Sequence, residues 1–146
     1  MAAEMGIRTE QFADGPHLAS WTAMCPGNHE SAGKRKSGKT RKGKRWLRGA
    51  LTQAAWAASH TKRTYLSGLF RRISARRGAK RAIVAVGHSI LISAFYMWQN
   101  KQPYQELGDA YLDKIKPEKT ANRLFERLAK LGYVVTVTQV PIPQAE

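Results

Sequence analysis

Apolar residues recur three or four positions apart through most of this chain, which is the spacing of one face of an α-helix. The pattern predicts a mainly α fold, a compact helical domain of about five helices. A short helix is expected to begin near His17 and to stop at Pro26. Later helical segments cover residues 44–58, 66–77, 79–98, 103–115 and 117–131, and proline opens the last two.

Two segments break the helical pattern. Residues 27–43, termed the basic loop, are polar and rich in Gly, Ser and Lys, and they predict a loop between two helices. Residues 133–140 are rich in β-branched side chains and are bounded by Pro141. This second segment predicts one short C-terminal strand.

The most apolar stretch, residues 82–98, is interrupted by Gly and Ser residues and by His88. Its length and these interruptions favour a buried core helix over a membrane span.

The N-terminus has an acid at Glu4 and no apolar run after a basic start, so no secretory signal is predicted. The lone Cys25 excludes an intrachain disulfide and fits a reducing compartment. We therefore expect a cytoplasmic protein with no membrane partner.

The positive charge of the chain is concentrated in its middle. The formal net charge is +15, and nine of the fifteen residues 34–48 are Lys or Arg. All ten Asp and Glu lie at or before Glu30 or at or after Glu106. Many basic runs are only solvated surface, localisation signals or ribosome-binding tails. This run is internal and spaced by glycines, whose backbone amides can approach a phosphate closely. It therefore predicts DNA or RNA as a partner.

The predicted nucleic-acid-binding residues form two groups. The first group runs from the basic loop into the next helix: Lys34, Arg35, Lys36, Lys39, Arg41, Lys42, Lys44, Arg45 and Arg48. The second group is the outward face of the following helix: Arg71, Arg72, Arg76 and Arg77.

Ser31 in the basic loop is a candidate nucleophile, although an ordinary loop serine looks the same in sequence. An unactivated hydroxyl is a weak nucleophile. His29 lies two residues away without an acid to orient it, and Glu30 is the only carboxylate close in sequence. Any activation of Ser31 must therefore come from elsewhere.

Metal and stacking chemistry receive little support from the residues alone. His17 and His60 have no partner at ligand spacing, and His88 on its apolar helix is better explained as a hydrogen-bonded core residue. The acid-free middle excludes catalysis by paired carboxylates or by two metal ions there.

All four tryptophans lie on predicted helices, where packing in the core is the common use. Only Trp46, bordered by arginines, is kept as a candidate for base stacking.

Two motifs carry a resemblance to a known family. Residues 17–34 read HLASWTAMCPGNHESAGK, and residues 42–48 read KGKRWLR. In order and spacing they resemble the C-terminal transposase domain of the insertion-sequence family numbered one-hundred-ten. That family also covers the one-sixteen and nine-oh-two elements and the Piv-type DNA invertases. The resemblance extends to residues 81–88 and 103–108. Two departures are Ala32, in place of the first loop glycine, and Lys44, in place of the usual asparagine.

The resemblance implies a role for Ser31. It falls on the serine nucleophile of the family, which is expected to form a phosphoserine link to cleaved DNA. Full-length relatives carry an N-terminal RuvC-like domain whose carboxylates hold magnesium, and the likeness implies that this domain supplies the metal half of the site. No cofactor is expected in this chain itself. The likeness also implies that some relatives bind a structured guide RNA and that the full-length protein forms a homo-oligomer.

The sequence leaves two functions open. One is a transposase fragment, expected to be inactive alone, with residues 1–115 as the serine-containing domain and residues 116–146 as an extension. The other is a small basic nucleic-acid-binding protein without catalytic activity, for example a ribosomal or nucleoid protein. Both would bind DNA, and they differ in whether Ser31 takes part in strand cleavage.

Overall fold

The fold is mainly helical, as predicted. The computed structural model describes residues 11–27 and 29–136, and for Arg35 it describes the backbone alone. Over these residues the elements in chain order are α1 (Gly15–Trp21), β1 (His29–Ser31), β2 (Lys34–Ser37), α2 (Arg45–His60), α3 (Tyr65–Arg77), α4 (Ala79–Asn100), α5 (Tyr111–Lys114) and α6 (Pro117–Lys130). The two strands pair with each other in one antiparallel sheet.

Capping side chains explain where α1 and α3 begin. The Asp14 side chain accepts a hydrogen bond from the backbone N–H of His17 at 2.8 Å, so it caps α1. Thr64 caps α3 in the same way by accepting from the backbone N–H of Ser67 at 3.3 Å. Gly78 separates α3 from α4 with φ of +81°, a backbone conformation that favours glycine.

Helix α4 is the central helix and packs against α1, α2 and α3. One buried cluster joins Leu18 and Met24 to Leu51 of α2 and to Leu91 and Phe95 of α4. A second cluster joins Ala55 to α4, with apolar side chains of α3 packed against it. By length and composition α4 could cross a membrane, but in this structure it is the helix on which the core is built.

Gly87 of α4 lies at a close contact within this core. A Cβ atom on Gly87 of α4 would lie 2.6 Å from the Met24 Cε atom and 3.3 Å from the Leu51 carbonyl oxygen. A side chain at this position would require the Met24 methyl group to move and would crowd the α2 backbone.

Three sequence predictions need correction. The basic loop contains the β1–β2 hairpin and is not wholly irregular. The helix predicted over residues 103–115 is wrong except at Tyr111–Lys114, since the segment before it is irregular. Residues 133–136 form no strand, and residues 137–140 of the predicted C-terminal strand lie outside the described residues.

The residues after Pro103 do not form the predicted helix because they make contacts with α3 instead. The carboxylate of Glu106 accepts hydrogen bonds from the backbone N–H groups of Tyr65 at 2.7 Å and Gly108 at 2.9 Å. Gly108 has φ of +78°, which breaks a right-handed helix. Sequence periodicity could not reveal a contact between residues 41 positions apart.

The chain divides into two units, Met1–Leu112 and Asp113–Glu146. In the second unit, Asp113 accepts a hydrogen bond from Thr120 and pairs with Arg123 at 3.7 Å. Helix α6 has no buried residue, and Leu124 and Leu128 on its apolar side are 50% and 36% exposed. Ser31 and both predicted basic groups belong to the first unit.

Candidate nucleic-acid interface

The hairpin at the start of the basic loop is closed by a two-residue turn. Glu30 pairs with Arg35 and Ser31 with Lys34, and the register shifts between His29 and Glu30. The turn residues Ala32 and Gly33 have φ of +50° and +71°. Positive φ at both positions defines the type I′ turn, whose twist matches the twist of paired strands. The Ser-Ala-Gly-Lys sequence is therefore the tip of a hairpin.

Ser31 is the last residue of β1, directly before this turn, and it is exposed. Lys34 is its cross-strand partner, and cross-strand partners lie on the same face of a hairpin with their Cβ atoms about 4.5–5.5 Å apart. Lys36 lies on that face by alternation, whereas Glu30 lies on the other. Ser31 therefore shares a face of the hairpin with two lysines.

Close backbone contacts fix both ends of the basic loop, one within the loop and one against the end of α1. The backbone N–H of Gly27 donates to the Lys39 carbonyl at 3.2 Å. A Cβ atom on Gly27 would lie 2.4 Å from that same oxygen, and one on Gly43 would lie 2.5 Å from the Thr22 carbonyl oxygen. These contacts require glycine at both positions. The cationic segment therefore leaves the core and returns to it at defined points.

Arg48 has a structural contact in addition to its predicted role. Its guanidinium donates to the Arg41 carbonyl at 3.1 Å and to the Thr40 hydroxyl at 2.7 Å. It thereby joins the first turn of α2 to the end of the basic loop. The other described side chains of the first predicted group are all exposed: Lys34, Lys36, Lys39, Arg41, Lys42, Lys44 and Arg45.

The second predicted group divides into two pairs. Arg71 pairs with Asp109 at 3.0 Å, and Arg72 donates to the Leu112 carbonyl at 3.1 Å. These two arginines contact the segment after α4. Arg76 and Arg77, in the last turn of α3, are exposed.

Cys25 and His88 form a contact that the sequence did not indicate. The Cys25 Sγ and His88 Nδ1 atoms lie 3.9 Å apart. Burial raises the pKa of the thiol, and burial also lowers the pKa of His88 despite a hydrogen bond with the Met24 backbone. Both groups are therefore held neutral near pH 7. A partly open cavity of about 170 Å³ lies beside them, lined by Ser20, Ala23, Cys25, Pro26, Gly27 and Arg41.

The tryptophans are more exposed than their positions on helices suggested. Trp46 is 80% exposed and Trp56 is 55% exposed, so neither belongs to the core. Trp21 packs edge-on against Phe12, and the Lys44 ammonium lies 5.3 Å from the centroid of its ring system. Core packing is therefore the wrong interpretation for the two tryptophans of α2.

One family model matches this chain. Residues 1–69 match the family described as Transposase IS116/IS110/IS902 family, a little under half of the 146 residues. Over these residues the sequence is similar to that transposase family. No curated protein and no solved structure matches the chain.

The part of the chain matched to the transposase family includes the elements that form the candidate interface. It spans α1, the hairpin, α2 and the first residues of α3, and so contains Ser31 and the first predicted basic group. The second basic group and the central helix α4 come after it in sequence. The matched residues nevertheless share a core with α4, through Leu91 and Phe95.

Proposed function

We propose that this transposase-family protein binds the phosphates of DNA through the basic loop and carries the serine nucleophile for strand cleavage and exchange. The observation that carries the proposal is the position of Ser31. It lies at the tip of an exposed hairpin, paired with Lys34, within the most cationic segment of the chain. A hydroxyl in that position can reach a backbone phosphate whose charge the neighbouring lysines neutralise.

The chemistry assigned to Ser31 is a transesterification. Its Oγ forms a bond to phosphorus, one phosphodiester P–O bond breaks, and the strand stays attached to the protein as a phosphoserine. The hydroxyl proton passes to a base and the departing oxygen takes up a proton, so the step needs no external oxidant or reductant. The lysines of the hairpin stabilise the charge on the non-bridging oxygens.

The metal half of the site is proposed to lie on a RuvC-like domain. Among the described residues, no three His, Cys, Asp or Glu side chains converge in a way that could hold a metal ion. When bound, magnesium would stabilise negative charge at the reacting phosphate. A structured guide RNA is a further proposed ligand of the basic loop, and the full-length assembly is proposed to be a homo-oligomer.

The salt dependence of binding tests the role of the basic loop. If six phosphates are neutralised, the logarithm of the affinity for duplex DNA falls against the logarithm of salt concentration with a slope of about −5. We expect a much flatter slope for a variant with alanine at these loop positions: Lys34, Arg35, Lys36, Lys39, Arg41 and Lys42. Ser31→Ala is the matched control and keeps the full slope because it removes no charge. An unchanged slope in the six-residue variant would exclude the loop from the interface.

A covalent adduct tests the role of Ser31. We expect the chain alone to bind DNA without cutting it, and a complex reconstituted with a RuvC-like partner and magnesium to form a protein–DNA adduct. Ser31→Ala should abolish the adduct and leave DNA binding nearly unchanged. Ser37→Ala is the matched control and should leave the adduct intact. An adduct that maps to Ser37, or that survives Ser31→Ala, would show that Ser31 is not the nucleophile.

The same experiment decides between the proposal and its alternative. A small basic binding protein without catalytic activity would bind DNA with the same salt dependence. It would give no adduct under any reconstitution, and Ser31→Ala would change nothing.

A further inference from the structure

Trp46 has the most exposed aromatic side chain among the described residues, with 80% of its surface accessible. Its indole has no aromatic ring stacked on it there, whereas Trp21 packs against Phe12 and Trp56 against His60. An indole left in water forgoes the large stabilisation that burial of its surface would give. This indole surface is accessible to a ligand with a flat face.

The surroundings of Trp46 limit the chemistry of that ligand. It lies in the first turn of α2, directly after Lys44 and Arg45, where the basic loop joins the helix. No acidic residue lies in this turn. The Lys44 ammonium lies over the ring of Trp21, the last residue of α1, at 5.3 Å from its centroid. A ligand that binds at the first turn of α2 must therefore carry both negative charge and an exposed π-face.

The second exposed tryptophan of α2 lies in a different environment. From residue 49 to residue 60 the helix has no Lys, Arg, Asp or Glu, so Trp56 has no charged neighbour on its own helix. The two indoles therefore share a helix and an exposed setting but differ in local charge. Trp56 is a natural control for Trp46.

We propose that Trp46 stacks on an unpaired nucleobase while Lys44 and Arg45 neutralise the phosphates that flank it. A nucleotide combines negative charge with a π-face, and stacking of bases on aromatic side chains is the general mode of single-strand recognition. A base within a duplex is already stacked, so Trp46 selects strands that are opened or single. The inference rests on the proposed nucleic-acid function of the basic loop and adds a site for unpaired bases.

Single-stranded DNA, single-stranded RNA and duplex DNA of equal length test the site at fixed salt. We expect Trp46→Ala to weaken binding of a single strand roughly 5- to 100-fold, the loss typical for one base stacked on an aromatic residue. Duplex binding should stay within about twofold, and the salt slope should be unchanged because no charge is lost. Trp46→Phe should restore part of the affinity. The DNA and RNA arms show which kind of strand supplies the base.

Trp56→Ala provides the matched control, with an expected change of less than about twofold for every ligand, and circular dichroism checks that each variant is folded. Equal losses for single strands and duplex, or equal losses in Trp46→Ala and Trp56→Ala, would overturn the stacking site. Unchanged single-strand affinity in Trp46→Ala would overturn it as well. If the unaltered protein binds none of the three ligands, the proposed function fails together with it.

Discussion

At the residue scale, Ala32 shows how the backbone sets the sequence of the hairpin tip. It occupies the first position of a type I′ turn with φ of +50°, where an L-residue with a Cβ atom is strained by roughly 1–2 kcal/mol. The family that the chain resembles is expected to have glycine at this position, and a type I′ turn would account for that preference. The sequence shows alanine at this position, but only the backbone dihedral angles show that alanine is strained there.

Ala32→Gly is expected to stabilise the hairpin by about 1 kcal/mol, because glycine adopts positive φ without steric cost. Amide hydrogen exchange at Ser31 and Lys34, the pair that closes the turn, should slow by roughly fivefold. The melting temperature should change little, since the hairpin is exposed and lies outside the core. Gly33→Ala, which places a Cβ atom at φ of +71°, should have the opposite effect on exchange. Faster exchange in Ala32→Gly would contradict the assignment of the turn.

At the element scale, the N-terminus of α3 depends on a residue far away in sequence. Glu106 accepts from the Tyr65 backbone N–H, the first in the helix, and from the Tyr104 hydroxyl at 3.3 Å. Its partial burial acts to raise its pKa, but these hydrogen bonds outweigh that effect and hold the pKa below the ordinary value of 4.5. The carboxylate thus supplements Thr64 as a cap of α3.

Glu106→Gln is expected to lower the free energy of unfolding by about 1 kcal/mol at pH 7, the usual loss for a helix cap. Because the folded pKa is depressed, the stabilisation is present above about pH 4.5 and is lost as pH falls through the folded pKa. Urea unfolding should therefore show a difference in free energy of unfolding between the unaltered protein and Glu106→Gln at pH 7, and this gap should be smaller at pH 3. Glu126→Gln on α6 should change stability by less than about 0.5 kcal/mol at both pH values. A gap that widens in acid would exclude the capping role.

At the scale of the whole molecule, the sequence predicted the elements that local pattern determines and missed those that depend on distant contacts. The long helices α2, α3 and α4 lie close to where apolar spacing placed them. The prediction for the segment after Pro103 was wrong because Glu106 and Asp109, the first acids after the long basic stretch, bind α3 and Arg71. For the candidate site, charge and resemblance identified Ser31 and the lysines. The hairpin and the exposure of Trp46 required the structure.

The two glycine contacts at the base of the basic loop have a consequence for how the loop can change. Gly27 contacts the Lys39 carbonyl and Gly43 lies against the Thr22 carbonyl at the end of α1, so the residues between the two glycines form a closed loop in the sense of polymer physics. For a flexible loop, doubling the number of residues costs only about 0.6 kcal/mol of closure entropy. Insertions and substitutions there should leave the helical core almost undisturbed as long as both glycines remain. The proposed nucleic-acid-binding surface can therefore change in length and sequence without loss of the helices that support it.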